Sequence, residues 1–74
     1  MTLIFLHPDF SDGDIEFRIE EGDICIYTTD TGLAKIISFC ESLRDAKSEG
    51  HIHLEDYGVL TKKSLKGVLA KFEK

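Results

Sequence analysis

Residues 15–27 hold two short stretches in which apolar and polar residues alternate, separated by Glu21-Gly22. A period of two is typical of β-strands with one buried face, and a glycine-containing pair between two such stretches predicts a hairpin. With a two-residue turn, Ile19 pairs with Ile24 and Phe17 pairs with Ile26, so the apolar side chains share one face. This hairpin constrains the fold most, because its apolar face requires another element to cover it.

The turn has two features that oppose this register. Glu21 would have to adopt a positive φ, which is costly for a residue with a side chain, and Glu20 would lie directly opposite the like-charged Asp23. A longer turn or a β-bulge is therefore an alternative to the two-residue turn.

After Thr31 the period of the apolar residues changes to 3.6, which predicts an amphipathic helix over residues 32–49. Asp30 or Thr31 is expected to cap its start, and Gly50 to take the left-handed position past its end. The predicted buried stripe consists of Leu33, Ile36, Ile37, Cys40 and Leu43. Phe39 lies roughly 90° from the centre of this stripe, so it either widens the core, which is favoured, or faces a partner.

The rest of the chain adds two predicted strands and one ambiguous segment. Residues 3–6 form a short apolar run, and residues 51–55 alternate, with His51, His53 and Glu55 on one face. Residues 64–74 fit either a helical stripe or an alternating strand. The pattern predicts one α+β domain over residues 1–74, an antiparallel-rich sheet with one long helix packed on one face.

The chemistry that the 74 residues lack indicates a binding protein rather than an enzyme. The chain has no nucleophile and base at a catalytic spacing, no glycine-rich phosphate loop and no complete set of metal ligands, so we expect no catalytic residue and no cofactor. A chain this short also builds only one small core, which leaves no room for a deep substrate cavity.

Acidic residues outnumber basic ones, 14 Asp and Glu against 9 Lys and Arg, for a formal net charge of −5. Residues 1–30 carry eight of the acids and a single arginine. This balance opposes binding to nucleic acid or to an anionic membrane and favours a basic protein partner. The alternative is an ordinary solvated acidic surface.

The two cysteines and the N-terminal residues predict where in the cell the protein is located. Cys25 and Cys40 are predicted to lie on opposite sides of the sheet, so we expect no disulfide and a reducing, cytoplasmic environment. Residues 1–8 contain a short apolar run without a preceding basic region, so we expect neither a signal peptide nor a membrane span.

His51 and His53 are the side chains best suited to chemistry, because residues two apart on a strand share a face. With Glu55 and His7 they could bind zinc, and with a lysine such as Lys62 they could act as acid and base on RNA. The acidic charge opposes RNA, and two histidines are too few for a metal site. Local hydrogen bonding on an exposed face is favoured, and contact with a partner is the alternative.

Gly32-Leu33 opens the predicted helix, His51-Ile-His-Leu-Glu-Asp56 forms the next strand, and Ser64-Leu65 precedes the last segment. In these residues the chain resembles the immunity-protein 32 family of bacterial polymorphic-toxin systems. The resemblance implies a small cytoplasmic α+β protein that binds a cognate toxin and silences it without catalysis of its own. It also implies that the last segment is a strand, which gives the order βββαββ.

We therefore expect a non-enzymatic immunity protein that neutralises a basic toxin by stoichiometric binding, with residues 9–14 and the solvent side of the hairpin covering the toxin's active site. The residues predicted to contact the toxin are Asp9, Asp12, Asp14, Glu16, Arg18, Glu20, Tyr27, His51 and His53. Two alternatives stay open. One is a small dimeric regulatory or antitoxin-like protein that self-associates through the hairpin, and the other is a metal-responsive module that uses His51 and His53.

Overall fold

Two antiparallel pairs of strands and one helix form the part of the protein that the computed structural model describes, residues 10–72. The elements are β1 (Ile15–Glu20), β2 (Asp23–Thr28), α1 (Asp30–Arg44), β3 (Gly50–His53), a 3₁₀ turn (Leu54–Tyr57) and β4 (Val68–Lys71). β1 pairs with β2, and β3 pairs with β4. The predicted α+β class with antiparallel strands is confirmed. The strand predicted over residues 3–6 lies outside the described residues.

The register predicted for the β1–β2 hairpin is confirmed. Ile19 lies opposite Ile24 and Phe17 opposite Ile26, across a two-residue turn. Both turn residues have positive φ, 52° at Glu21 and 85° at Gly22. The left-handed conformation costs about 1–2 kcal/mol at a residue with a Cβ. The alternating pattern of the strands therefore outweighs a turn residue that is poorly suited to its position.

The ambiguous C-terminal segment contains a strand. Val68–Lys71 pairs with Gly50–His53, and Leu69 lies opposite Ile52. The helical alternative for this segment is wrong. The placement of Glu55 on β3 is also wrong, because the chain turns into the 3₁₀ turn after His53.

The helix begins and ends earlier than its periodicity predicts. Its N-cap is Thr29, whose hydroxyl oxygen accepts hydrogen bonds from the backbone N–H groups of Gly32, at 3.2 Å, and Gly13, at 2.8 Å. The helix ends at Arg44, and Gly50 starts β3 rather than closing the helix. The cap is Thr29, rather than Asp30 or Thr31, because Thr29 also fastens the preceding loop.

The face of α1 that packs inward is rotated away from the predicted stripe. The residues turned inward are Gly32, Lys35, Ile36, Phe39 and Leu43. Leu33, Ile37 and Cys40, which were predicted to be buried, are exposed. Phe39 packs against the core, as favoured.

Two contacts in the first two turns of the helix set this rotation. Gly32 lies against the Thr28 side chain, where a Cβ would overlap the Thr28 Oγ1 atom. Lys35 reaches the preceding loop, and its Nζ donates a hydrogen bond to the Gly13 carbonyl oxygen at 3.2 Å. Because both contacts are made to residues outside the helix, the helical periodicity alone does not reveal the rotation.

The core of the described chain is small. Ile15, Leu54 and Val59 are buried, and the partly buried residues packed against them are Phe17, Ile36, Phe39, Leu60 and Leu69. The outer edge of β1 is covered by residues 59–65, beginning with a hydrogen bond of 2.8 Å from the Ile15 N–H to the Val59 carbonyl oxygen. This edge contact joins the hairpin to the second half of the chain.

Candidate functional site

An apolar groove of about 410 Å³ lies between the β1–β2 hairpin and the segment that leads into β4. Its two walls consist mainly of Phe17, Ile19, Ile24 and Ile26 on the hairpin side and Leu54, Leu65, Val68 and Leu69 on the other, and Arg18, Lys66 and Gly67 complete the lining. Exposed apolar surface that is grouped in this way marks binding sites more often than singly exposed side chains do. We refer to this feature as the apolar groove.

The hairpin wall of the apolar groove is open to solvent. The exposed fraction is 67% for Ile19, 81% for Ile24 and 51% for Ile26. Within residues 10–72, the helix leaves this face open, because α1 packs mainly against β3 and β4. Phe17 is partly covered, since Gly67 brings its backbone directly against the phenyl ring.

Hydrogen bonds hold the two walls together. The Leu65 N–H donates to the Phe17 carbonyl oxygen at 3.0 Å, and the Phe17 N–H donates to Ser64 Oγ at 2.8 Å. The Leu54 N–H donates to the Gly67 carbonyl oxygen at 2.9 Å. The apolar groove is therefore formed before any partner binds, which lowers the entropy that binding must cost.

The opposite face of the hairpin is polar, and its central carboxylate is buried. Glu16 is 2% exposed and accepts hydrogen bonds from the Thr61 hydroxyl, at 2.6 Å, and from Arg18 Nε. A buried carboxylate requires such partners, because desolvation without them is costly. The prediction that Glu16 lies on the solvent side is wrong, and a partner cannot reach it there.

Two carboxylates near the turn stay accessible. Glu20 and Asp23 are exposed, and neither forms a salt bridge with any residue that the structure describes. Glu20 accepts a hydrogen bond from the Tyr27 hydroxyl, and this bond raises the pKa of Tyr27. The Arg18 guanidinium lies over the Tyr27 ring, 4.6 Å from its centroid. This end of the polar face is therefore negatively charged.

The acidic loop is tied to the helix. Asp12 accepts a hydrogen bond of 2.8 Å from the Thr31 hydroxyl, and Asp14 accepts one of 2.8 Å from the Ser11 N–H. Negative charge is favourable at this place, close to the N-terminus of α1. Partner contact by Asp12 and Asp14 stays a prediction, and Asp9 lies outside the described residues.

We expect the bond between Asp12 and Thr31 to make stability depend on pH. It is the largest cause that lowers the pKa of Asp12 from its usual 3.8. A carboxyl with a lowered folded-state pKa stabilises the fold above its unfolded pKa, and the contribution is lost as the pH falls through the lowered value. At pH 6 the Asp12→Asn variant should therefore unfold at a lower urea concentration than the wild type. The difference between the two urea midpoints should disappear near pH 2. An equal difference at both pH values would contradict this assignment.

His51 and His53 lie on the exposed side of β3, with ring centroids 5.0 Å apart. His53 Nδ1 lies 3.1 Å from Glu55 Oε2. A backbone hydrogen bond and, after it, this contact lower the pKa of Glu55. Within residues 10–72, no three His, Cys, Asp or Glu side chains are grouped to hold a metal ion. His53 thus bonds locally, and partner contact by the pair stays a prediction.

Comparison with known proteins identifies no relative. No family model matches the chain, and neither a curated protein nor a solved structure matches it. The resemblance to the immunity-protein 32 family therefore stays a prediction. The function has to be argued from the surface of the molecule.

Two further observations concern thiols and membranes. Cys25 and Cys40 are free thiols. In the part of the chain that the structure describes, no helix is long and apolar enough to cross a membrane. The cytoplasmic location stays a prediction.

Sequence reasoning missed the second wall of the apolar groove. Leu65 and Val68 were considered only as parts of a helical or strand pattern, yet they lie across from the exposed isoleucines of the hairpin. Gly67, which directly precedes Val68, is a local signal of this wall, because a glycine in a strand-like segment permits close approach of another group. Here that group is the ring of Phe17.

Proposed function

We propose that the chain is a protein-binding module without catalysis, and that it neutralises a basic toxin by binding it through the apolar groove. The observation that carries the binding role is the groove itself, in which three isoleucines of one hairpin are more than half exposed. The toxin as the partner rests on the resemblance to the immunity-protein 32 family.

The apolar groove offers enough surface for specific binding. Complete burial of a fully exposed isoleucine side chain contributes about 1.5–3 kcal/mol, and because these three are already partly covered, together they supply a few kcal/mol before the cost of association. A Kd of about 1 µM requires roughly 8 kcal/mol. The three isoleucines therefore provide only part of the required free energy, and the other apolar residues of the groove and polar contacts supply the remainder.

The accessible charge on the polar face of the hairpin favours a basic partner. Glu20 and Asp23 carry the accessible negative charge, whereas the charge of Glu16 is buried against Arg18. Exposed carboxylates on the face of the hairpin behind the groove steer a cationic protein and speed its association. The acidic contact is thus assigned to Glu20 and Asp23, and Glu16 has a structural role.

The test uses the tagged full chain to capture its partner from lysate of the source cells. The captured protein is identified by mass, purified and titrated calorimetrically at low and high salt. We expect a basic protein that stops growth when expressed in a host cell, and whose toxicity disappears when this chain is expressed with it. Weaker binding at high salt is expected, because the rim charges are exposed.

Two matched variants assign the binding to the apolar groove. Ile19→Lys places a charge in the groove and should weaken binding at least about 30-fold, with loss of protection. Ile37→Lys adds the same charge at an exposed isoleucine of α1, outside the groove, and should bind as the wild type does. A partner that is not toxic would contradict the toxin role. A concentration-dependent dimer without a partner would favour the regulatory alternative.

A further inference from the structure

The β1–β2 register determines which backbone groups of β2 face outward. Glu20 and Asp23 flank a two-residue turn and form a hydrogen-bonded pair, and such pairs alternate with non-bonded ones along an antiparallel ladder. Ile24 and Ile26 therefore occupy non-bonded positions. Their N–H and C=O groups point away from β1.

The equivalent positions on β1 show how such backbone groups bond when another segment of the chain lies beside them. Ile15 and Phe17 also occupy non-bonded positions in the hairpin. Their backbone groups bond to residues 59–65 on the other side of β1. On β2 the outward groups meet no such segment, since no strand within residues 10–72 pairs with that edge.

Within residues 10–72, the outer edge of β2 lacks most of the usual protection against a further strand. Edge strands are normally protected by proline, by lysine, by a bulge or by being short. β2 has six residues, contains neither proline nor lysine, and pairs with β1 without a bulge. The exposed side chains of Ile24 and Ile26 adjoin the same edge. A strand added there would satisfy the backbone groups and cover apolar surface.

The charges beside this edge indicate which kind of strand would bind there. The face opposite the two isoleucines carries Asp23 and Glu20, while the Arg18 charge is paired with Glu16. A second copy of this chain, with its own net charge of −5, would bring like charges together at this edge. Residues 1–9 contain no lysine or arginine. A basic strand from another protein complements the edge best.

We propose that the partner adds an antiparallel β-strand to the outer edge of β2, and that this strand alternates apolar and basic side chains. Its apolar residues lie opposite Ile24 and Ile26 beside the apolar groove, and its basic residues lie on the side of Asp23 and Glu20. Backbone bonds supply affinity and the alternating side chains supply specificity. This inference rests on the proposed function and deepens it.

The probe is a capped, fluorescein-labelled peptide of eight residues in which valine and lysine alternate. It is titrated with the full chain, and fluorescence anisotropy gives the Kd. In the antiparallel arrangement the valine amides opposite Ile24 and Ile26 point at β2, and the lysine amides point away. N-methylation of the valine amides should raise the Kd at least about 10-fold, whereas N-methylation of the lysine amides should change it less than about twofold.

Variants of the chain locate the added strand. Ile26→Lys should weaken peptide binding at least about 10-fold, and Ile37→Lys on α1 is the matched control and should leave it unchanged. Asp23→Asn should reduce the dependence of the Kd on salt. The proposal is overturned if the unmodified peptide does not bind at 1 mM. It is overturned too if both methylated peptides have the same Kd as the unmodified peptide. It is also overturned if the chain is a dimer that Ile26→Lys converts to a monomer.

The two proposals fail in different ways. Ile19 lies in the apolar groove but on β1, away from the outer edge of β2. A captured toxin whose binding requires Ile19 but not Ile26 would overturn strand addition and leave the proposed function intact. Methylation-sensitive peptide binding by a chain that protects against no toxin would overturn the toxin role and support strand addition.

Discussion

Gly32→Ala should destabilise the protein by about 1–3 kcal/mol, although glycine to alanine in an open helix stabilises by about 1 kcal/mol. A Cβ at this position would overlap Thr28 Oγ1 and lie 3.2 Å from the Asp14 carbonyl oxygen. Thr28 would have to rotate and give up its 2.7 Å hydrogen bond to that oxygen. The helix cannot retreat freely, because Thr29 and Lys35 fasten it to the same loop. Urea denaturation measures the loss.

Two further variants test the physical reason for this loss. Gly50→Ala places its Cβ 3.6 Å from Leu43 Cδ1, an ordinary contact, and should change the free energy of unfolding by less than about 0.5 kcal/mol. Thr28→Ala removes the overlapping oxygen. The double variant with Gly32→Ala should therefore lose about 1 kcal/mol less free energy of unfolding than the two single variants lose together. Stabilisation by Gly32→Ala alone would show that the helix does not pack in this way.

Glu16→Ala should reduce the free energy of unfolding by about 2–4 kcal/mol. Its carboxylate is buried, and its removal leaves the Thr61 hydroxyl without its acceptor and Arg18 without its counter-charge. Arg18 keeps about a third of its side chain in solvent, which limits the penalty on that side. The urea midpoint of the full chain, followed by circular dichroism, measures the effect.

Glu20→Ala is the matched control, because it removes a carboxylate from the same strand and the same face. Glu20 is exposed, so the change should stay within about 0.5 kcal/mol. Glu16→Gln keeps an acceptor for Thr61 while removing the charge that faces Arg18. Its free energy of unfolding should therefore lie between those of the two alanine variants. Equal midpoints for Glu16→Ala and Glu20→Ala would refute the buried role of Glu16.

Elements that depend on near neighbours were predictable from the sequence. The hairpin register follows from the alternation on both sides of Gly22, because a shift of one residue would move every apolar side chain to the other face. The existence of α1 follows in the same way from a period of 3.6. The helix ends were less predictable, because Thr29 serves both as the N-cap and as the acceptor for Gly13.

The candidate site was predictable only in part. The polar face of the hairpin and its residues Arg18, Glu20 and Tyr27 were recognised from the alternation. The burial of Glu16 was not, because its partner Thr61 lies 45 positions away in the chain. The second wall of the apolar groove depends on Gly67 meeting Phe17, and alternation in either segment carries no information about that contact.

The sequence by itself determined a hairpin with one apolar face and a helix close to its observed position. It also determined that the first half of the chain is acidic. The tertiary structure alone decided that the helix turns Gly32 and Phe39 inward and packs against β3 and β4, which leaves the isoleucines of the hairpin exposed. Periodicity specifies that a face is apolar, whereas contacts between distant segments specify what covers it. The binding surface that we propose for this chain is the face that those contacts leave open.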